Sequence, residues 1–115
     1  MTTILVTGGD GRFSKTLKKL KSKYNFIFTN KKQLNINNYN LIVKNLKKYK
    51  PKYLLHLAGL SRPLSLHEKD ISKSINANIK GTCNLVLACE KNNIKIIYFS
   101  TNYLYPGKKG NYKET

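Results

Sequence analysis

Three glycines within four residues, Gly8, Gly9 and Gly11, break the apolar run Ile4-Leu-Val-Thr7 and lead into Arg12-Phe-Ser14. The chemistry such a stretch offers is ligand binding through the backbone. A tight strand-to-helix turn requires residues free to adopt unusual φ/ψ, and Gly8 and Gly11 can do so without a Cβ in the way. A pyrophosphate can then approach the chain, held by the amides and the positive dipole end of the following helix. Asp10, Arg12 and Phe13 stand inside or just beyond the same loop, within reach of such a ligand.

A dinucleotide fold places, about 20 residues beyond this loop, either an acid for the ribose 2′-hydroxyl or a base for a 2′-phosphate. Here that position reads Thr29-Asn-Lys-Lys32, with no carboxylate. Lys31 and Lys32, with Arg12 nearby, favour NADP over NAD. His56 lies in the apolar run Tyr53–Leu57, where a local bond or packing is the stronger reading than catalysis. Cys83 and Cys89 are six apart on one helical stretch, which suits neither a CxxC redox pair nor zinc spacing. Both are expected to be buried as small apolar residues.

These groups need elements to position them, and hydrophobic periodicity supplies candidates. The first strand is Thr3 to Val6. Phe13, Leu17, Leu20 and Tyr24 fall at i, i+4, i+7 and i+11, predicting a first helix through Tyr24 with its lysines mostly facing away. Phe26 to Thr29 reads as a second strand. Tyr39, Ile42, Val43 and Leu46 repeat with helical spacing up to Pro51, which stops that helix. Tyr53 to Leu57 is a continuously apolar strand of the kind buried on both faces of a parallel sheet, followed by the loop Ala58–Pro63. From Asp70 to about Asn92 a helical stripe of Ile71, Ile75, Ile79, Cys83 and Val86 predicts one long helix, and Ile94 to Phe99 a fourth strand. The order βαβαβαβ implies parallel pairing through right-handed crossovers, hence a partial α/β Rossmann-like doubly wound parallel sheet.

Composition bounds the reading further. At 115 residues the chain is one domain at most, with a modest core and little room for a separate substrate pocket. No apolar run approaches the roughly 18 residues of a membrane span, and no leader precedes the first strand, so a soluble cytoplasmic protein is expected, with no membrane partner. The net charge of +17 invites a nucleic-acid reading, but 20 of the 22 basic residues are Lys and only Arg12 and Arg62 offer the guanidinium fork. No acidic residue lies between Asp10 and Glu68, so a positive face exists; a solvated surface is the favoured reading over a Lys-driven nucleic-acid binder.

The ordered motifs Thr7-Gly-x-x-Gly11, His56-Leu-Ala-Gly59, Asn78-x-x-Gly-Thr82 and Ser100-Thr-Asn-Tyr103 span nearly the whole chain. Together they resemble the extended short-chain dehydrogenase/reductase superfamily, and within it the dTDP-4-dehydrorhamnose reductase-like proteins of nucleotide-sugar metabolism. The resemblance implies NADP (or NAD) as cofactor, laid over Ala58 and Gly59. It also implies that Asn78 orders the site through neighbouring backbone while Gly81 permits close packing, although plain helix packing stays open for Asn78. Asn35 takes the place of an Asp that contacts adenine in the family. Ser14 replaces the third glycine of TGxxGxxG, so a slightly wider helix–strand contact is expected. Ser100 closes the fourth strand beside the cofactor, and Thr101 matches a hydroxyl that bonds the substrate carbonyl.

The family's remaining machinery is a Tyr-x-x-x-Lys pair on a helix, four residues apart so that both groups share one face. Tyr105-Pro-Gly-Lys-Lys109 fits the letters, but Pro106 and Gly107 make a turn and reject the match. Residues 1–115 are therefore expected to form a cofactor-binding domain truncated before the catalytic pair and the nucleotide-sugar site, inactive alone. A non-catalytic dinucleotide-binding or regulatory module, or a piece of an epimerase or dehydratase of the same superfamily, remains the alternative. The fourth strand should lie at a sheet edge and invite a homodimer or a complementing chain.

Overall fold

Ile4, Val6 and Leu55 project to one side of a sheet and Leu5 and Leu54 to the other, the period-2 alternation of strands buried on both faces. The computed structural model describes residues 1–101 and 105–113. Its elements run β1 (Thr3–Thr7), α1 (Arg12–Leu17), β2 (Asn25–Phe28), α2 (Tyr39–Tyr49), β3 (Tyr53–His56), α3 (Ser65–Lys69), α4 (Ile71–Ile75), a π-helical turn (Asn76–Lys80), α5 (Gly81–Lys91) and β4 (Lys95–Tyr98). The four strands are parallel in the order β2-β1-β3-β4. This is the Rossmann-like α/β architecture expected, and β4 lies at an edge. Between β1 and β3 the order of connection reverses, and in open α/β sheets ligands bind outside the strand ends at that reversal.

The two faces are covered unequally. On one, α2 and α5 bury Leu5, Ile42, Leu46, Leu54, Leu85, Ala88 and Cys89, together with Leu34 and Ile36 from the segment after β2. Each Leu or Ile among them removed from water contributes about 1.5–3 kcal/mol, so the stability of the fold rests on this layer. Asn38 caps α2 by accepting the Leu41 N–H at 3.0 Å, and the helix ends on left-handed Lys50, directly before Pro51. The other face carries the smaller cluster of Ile4, Val6 and Leu55 under α1.

α1 differs from the expected helix through Tyr24. It stops at Leu17, where Lys19 N–H and Leu20 N–H turn back to the carbonyls of Thr16 and Leu17 and tighten the chain out of the helix. Leu20 and Tyr24, beyond its end, are exposed, as is Phe13 within it, and only Ser14 of α1 is buried. Lys18 does not face away: its Nζ donates to the Gly9 carbonyl at 2.8 Å and lies 5.0 Å from the Phe28 ring centre.

The long helix expected from Asp70 to Asn92 is broken into α4, the π-helical turn and α5. A wider turn rotates the face that follows it. The stripe Ile71, Ile75, Ile79, Cys83 and Val86 is exposed, and the buried face of α5 beyond the turn is Gly81, Leu85, Ala88 and Cys89. Cys83 thus contradicts the expected burial, whereas Cys89 meets it. A Cβ on Gly81 would come within 2.5 Å of Ile36 Cδ1, so glycine lets this helix close on the segment after β2. The short helix α3, absent from the sequence reading, fills part of the chain before α4. Tyr105–Lys109 is not helical: Gly107 takes φ +71°, and Tyr105 stacks on Tyr112 at 5.1 Å. Asn102 and Tyr103 of the fourth motif, and Glu114 and Thr115, lie outside the described residues.

Candidate dinucleotide site

Gly8 anchors the site. Its φ of +68° is left-handed, and a Cβ there would sit 2.8 Å from the Ala58 backbone nitrogen, so both conformation and space demand glycine. Gly11 is different: its φ of −70° and ψ of 167° are ordinary extended values, and the requirement there is the 3.2 Å that would separate a Cβ from the Gly8 carbonyl. Gly9 N–H donates to the Thr29 carbonyl at 2.8 Å, pinning the loop to the end of β2. Ser14, buried in α1, donates its hydroxyl to the Gly8 carbonyl at 2.9 Å. The serine thereby binds the loop to its own helix.

A cavity of about 680 Å³ opens at the carboxyl ends of β1 and β3, between the glycine loop, the 30–37 segment, the 57–60 loop and the 70–77 stretch. Cofactor clefts span roughly 300–1,000 Å³. Gly8, Asp10, Gly11, Lys31, Asn35, Ala58 and Gly59 all line it. Its walls mix apolar Leu34, Ile36, Leu57 and Ala77 with amide side chains, and its charges are Lys31 and Lys73 against Asp10 and Asp70. Asn45, from the buried side of α2, donates to the Gln33 carbonyl at 3.0 Å, and Asn84 of α5 to that of Ile36 at 3.0 Å. These amides hold the 30–37 wall in place. Asn35 Oδ1 accepts the Asn37 N–H at 3.0 Å.

Other expected site residues fall elsewhere. Arg12 and Phe13 line an adjoining cleft of about 470 Å³ that shares Gly8 and Gly11. Lys32 is exposed and does not line the cavity, because the chain turns there and only Lys31 faces inward. Asn78 lines a recess of about 350 Å³ beside Phe13, His56, Tyr98 and Phe99. Its side chain accepts the Leu60 N–H at 2.7 Å and donates to the Leu60 carbonyl at 2.8 Å, the backbone role expected of it. Ser100 and Thr101 follow β4 and are exposed. The 70–77 wall, including Asp70, Ser72 and Lys73, went unrecognised because nothing in its spacing marks a ligand, and only the packing of α4 over the cavity brings it there.

His56 is buried and serves as a structural bridge: its Nδ1 meets Thr7 Oγ1 and its Nε2 meets Thr82 Oγ1, both at 2.9 Å. Burial pushes its pKa down to about 4, so the ring is neutral. Tyr98 stacks on it at 5.6 Å.

A glycine turn on a left-handed residue, a cleft at the reversal of a parallel sheet and small residues flooring it are the features with which open α/β domains receive dinucleotides. The whole chain, residues 1–115, matches the family described as RmlD substrate binding domain, and the protein belongs to that family. It is 28% identical to a dTDP-4-dehydrorhamnose reductase of Aggregatibacter actinomycetemcomitans over 119 aligned residues, covering 100% of this chain and 40% of that relative. Among solved structures it is similar to dTDP-4-dehydrorhamnose reductase from Bacillus anthracis in complex with NADP (24% identity, TM-score 0.86, 95% of this chain and 40% of that one). It is also similar to a GDP-L-fucose synthetase from Naegleria fowleri bound to NADP (26% identity, TM-score 0.67, 81% of this chain and 31% of that one). The chain thus spans less than half the length of these relatives. Among the described residues no helix is long and apolar enough to cross a membrane.

Proposed function

We propose that residues 1–115 are the NADP-binding portion of a nucleotide-sugar reductase of the cytoplasm, acting on a 4-keto-6-deoxy sugar nucleotide and inactive without further polypeptide. The observation that carries this is the packing of left-handed Gly8 against Ala58 at the floor of a cavity large enough for a cofactor. Gly8–Gly11 would hold the pyrophosphate, Lys31 would meet the 2′-phosphate, and Asn35 and Ile36 would receive the purine end. α1 has only six residues, so backbone N–H groups of the loop and first turn matter more here than a long helix dipole. When bound, the nicotinamide supplies hydride transfer. Thr101 hydrogen-bonds the substrate carbonyl, and a Tyr–Lys pair from outside these residues supplies the proton.

The exposure of β4 supports a second component. Ile96 packs into the α2–α5 layer, but Ile97 on the opposite face is 41% exposed. Phe99 is 54% exposed and stands against the equally exposed Phe13, at 5.4 Å between ring centres. A complementing chain, or a second copy, adds a strand to this edge and covers that face. The test is turnover: the purified chain with NADPH and a dTDP-4-keto-6-deoxy sugar should bind the cofactor and oxidise none of it. Reduction of the sugar at an ordinary enzymatic rate contradicts the proposal.

A further inference from the structure

We infer that His56 is a positioning residue for the dinucleotide: one neutral tautomer of its imidazole closes a hydrogen-bonded circuit around the 57–60 loop that floors the cleft. The ligand part of this inference rests on the cofactor reading above; the geometry rests on counting donors and acceptors.

Thr7 Oγ1 accepts the backbone N–H of Leu57 and that of Ala58, each at 3.1 Å. A hydroxyl has two lone pairs and one proton. With both lone pairs taken, the proton goes to the remaining neighbour, His56 Nδ1 at 2.9 Å. Nδ1 is therefore bare, and the neutral ring carries its hydrogen on Nε2. That hydrogen is donated to Thr82 Oγ1 at 2.9 Å, and Thr82 donates its own to the Asn78 carbonyl at 3.1 Å. The side chain of Asn78 then grips Leu60 through both its N–H and its carbonyl. The circuit starts on the amides of Leu57 and Ala58 and returns to the same loop at Leu60.

Each member has one role, and reversing the ring would bring three donors onto Thr7 Oγ1. The consequence reaches the ligand because residues 57–60 line the cavity and Ala58 abuts Gly8. The circuit ties β1, β3 and the π-helical turn together and so sets the gap between the two loops that face the pyrophosphate.

Two measurements test this. In the ¹⁵N-labelled chain, long-range ¹H–¹⁵N correlation of the imidazoles, assigned with His67→Gln, should report His56 with protonated Nε2 and bare Nδ1 at neutral pH. Thr82→Val, which cuts the circuit between His56 and Asn78, should weaken NADP binding about tenfold, and Thr82→Ser should restore it to within about twofold. An Nδ1–H tautomer, or a folded Thr82→Val chain that binds NADP as tightly as the wild type, overturns the circuit. Failure of the wild-type chain to bind NADP at all overturns the ligand reading and with it the positioning role, and the tautomer measurement separates the two failures.

Discussion

Ser14 Oγ donates a 2.9 Å hydrogen bond to the carbonyl of Gly8, so the residue that stands where the family has a third glycine is a clamp on the first. The Gly8 carbonyl also accepts the Gly11 N–H at 3.0 Å. Removing the serine hydroxyl therefore leaves no orphaned acceptor. Ser14→Ala should cost about 0.5–1 kcal/mol in a urea unfolding experiment, the lower range for a lost hydrogen bond. A loss comparable to a core deletion would show that the hydroxyl does more than clamp.

Gly8→Ala should be far more damaging. The left-handed φ costs an alanine about 1–2 kcal/mol, and its Cβ meets rigid backbone of Ala58 and Leu57, adding about 1–3 kcal/mol of overpacking. Gly11→Ala carries only the second kind of penalty, since its φ is ordinary. Denaturation midpoints of the two variants should therefore fall in that order, and equal midpoints would contradict the distinction.

Stability should fall with acid through His56. Its folded pKa of about 4 lies below the ordinary 6.5, so between those values the unfolded chain binds a proton that the folded chain refuses. Stability from this group is complete above about pH 6.5 and is lost as pH drops towards 4, a total of order 3 kcal/mol. Urea midpoints measured from pH 7 to pH 4.5 should show this slope and lose it in His56→Gln. An unchanged slope in the variant would assign the acid sensitivity to other groups.

The two cysteines should differ in reactivity. Cys83 is exposed, while Cys89 is buried and its thiol is pushed up to about 11. A thiol reagent at neutral pH should modify one cysteine in the native chain and two after denaturation. Rapid labelling of both in the native state would contradict the packing of α5.

Much of this was legible from residue order. The strand–turn–helix grammar, the glycine loop, the edge position of β4 and the failure of Tyr105–Lys109 as a helical pair all follow from patterns of glycine, proline and apolar runs. What escaped were features that depend on how helices rotate and where side chains reach. Ile71, Ile75 and Ile79 have helical spacing yet face outwards, whereas the buried face of α5 is written in Gly81, Leu85, Ala88 and Cys89, of which only Leu85 carries a strong hydrophobic signal. Lys18 counted as a solvated charge, but its stem spans from α1 to the Gly9 carbonyl. Lys31 and Lys32 are indistinguishable in sequence, and only the turn after β2 sends one to the cavity.

The uncovered face over β4 should govern association. Ile97→Lys places a charge on an exposed edge-strand position, so it should reduce self-association in light scattering while changing stability by no more than about 0.5 kcal/mol. Association undiminished by this change would place the contact elsewhere.

Whether the cleft beside Gly8 holds a nicotinamide dinucleotide is decided by isothermal titration of NADP into the wild-type chain and into Gly11→Ala and Gly8→Ala. The wild-type chain should show one site and bind NADP more tightly than NAD. At a hundredfold excess over Kd the ligand should stabilise the wild type by about 2.7 kcal/mol, raising its melting temperature, and Gly8→Ala, if folded, should bind neither dinucleotide. A wild-type chain that takes up no heat and gains no thermal stability with either dinucleotide contradicts dinucleotide binding in this cleft.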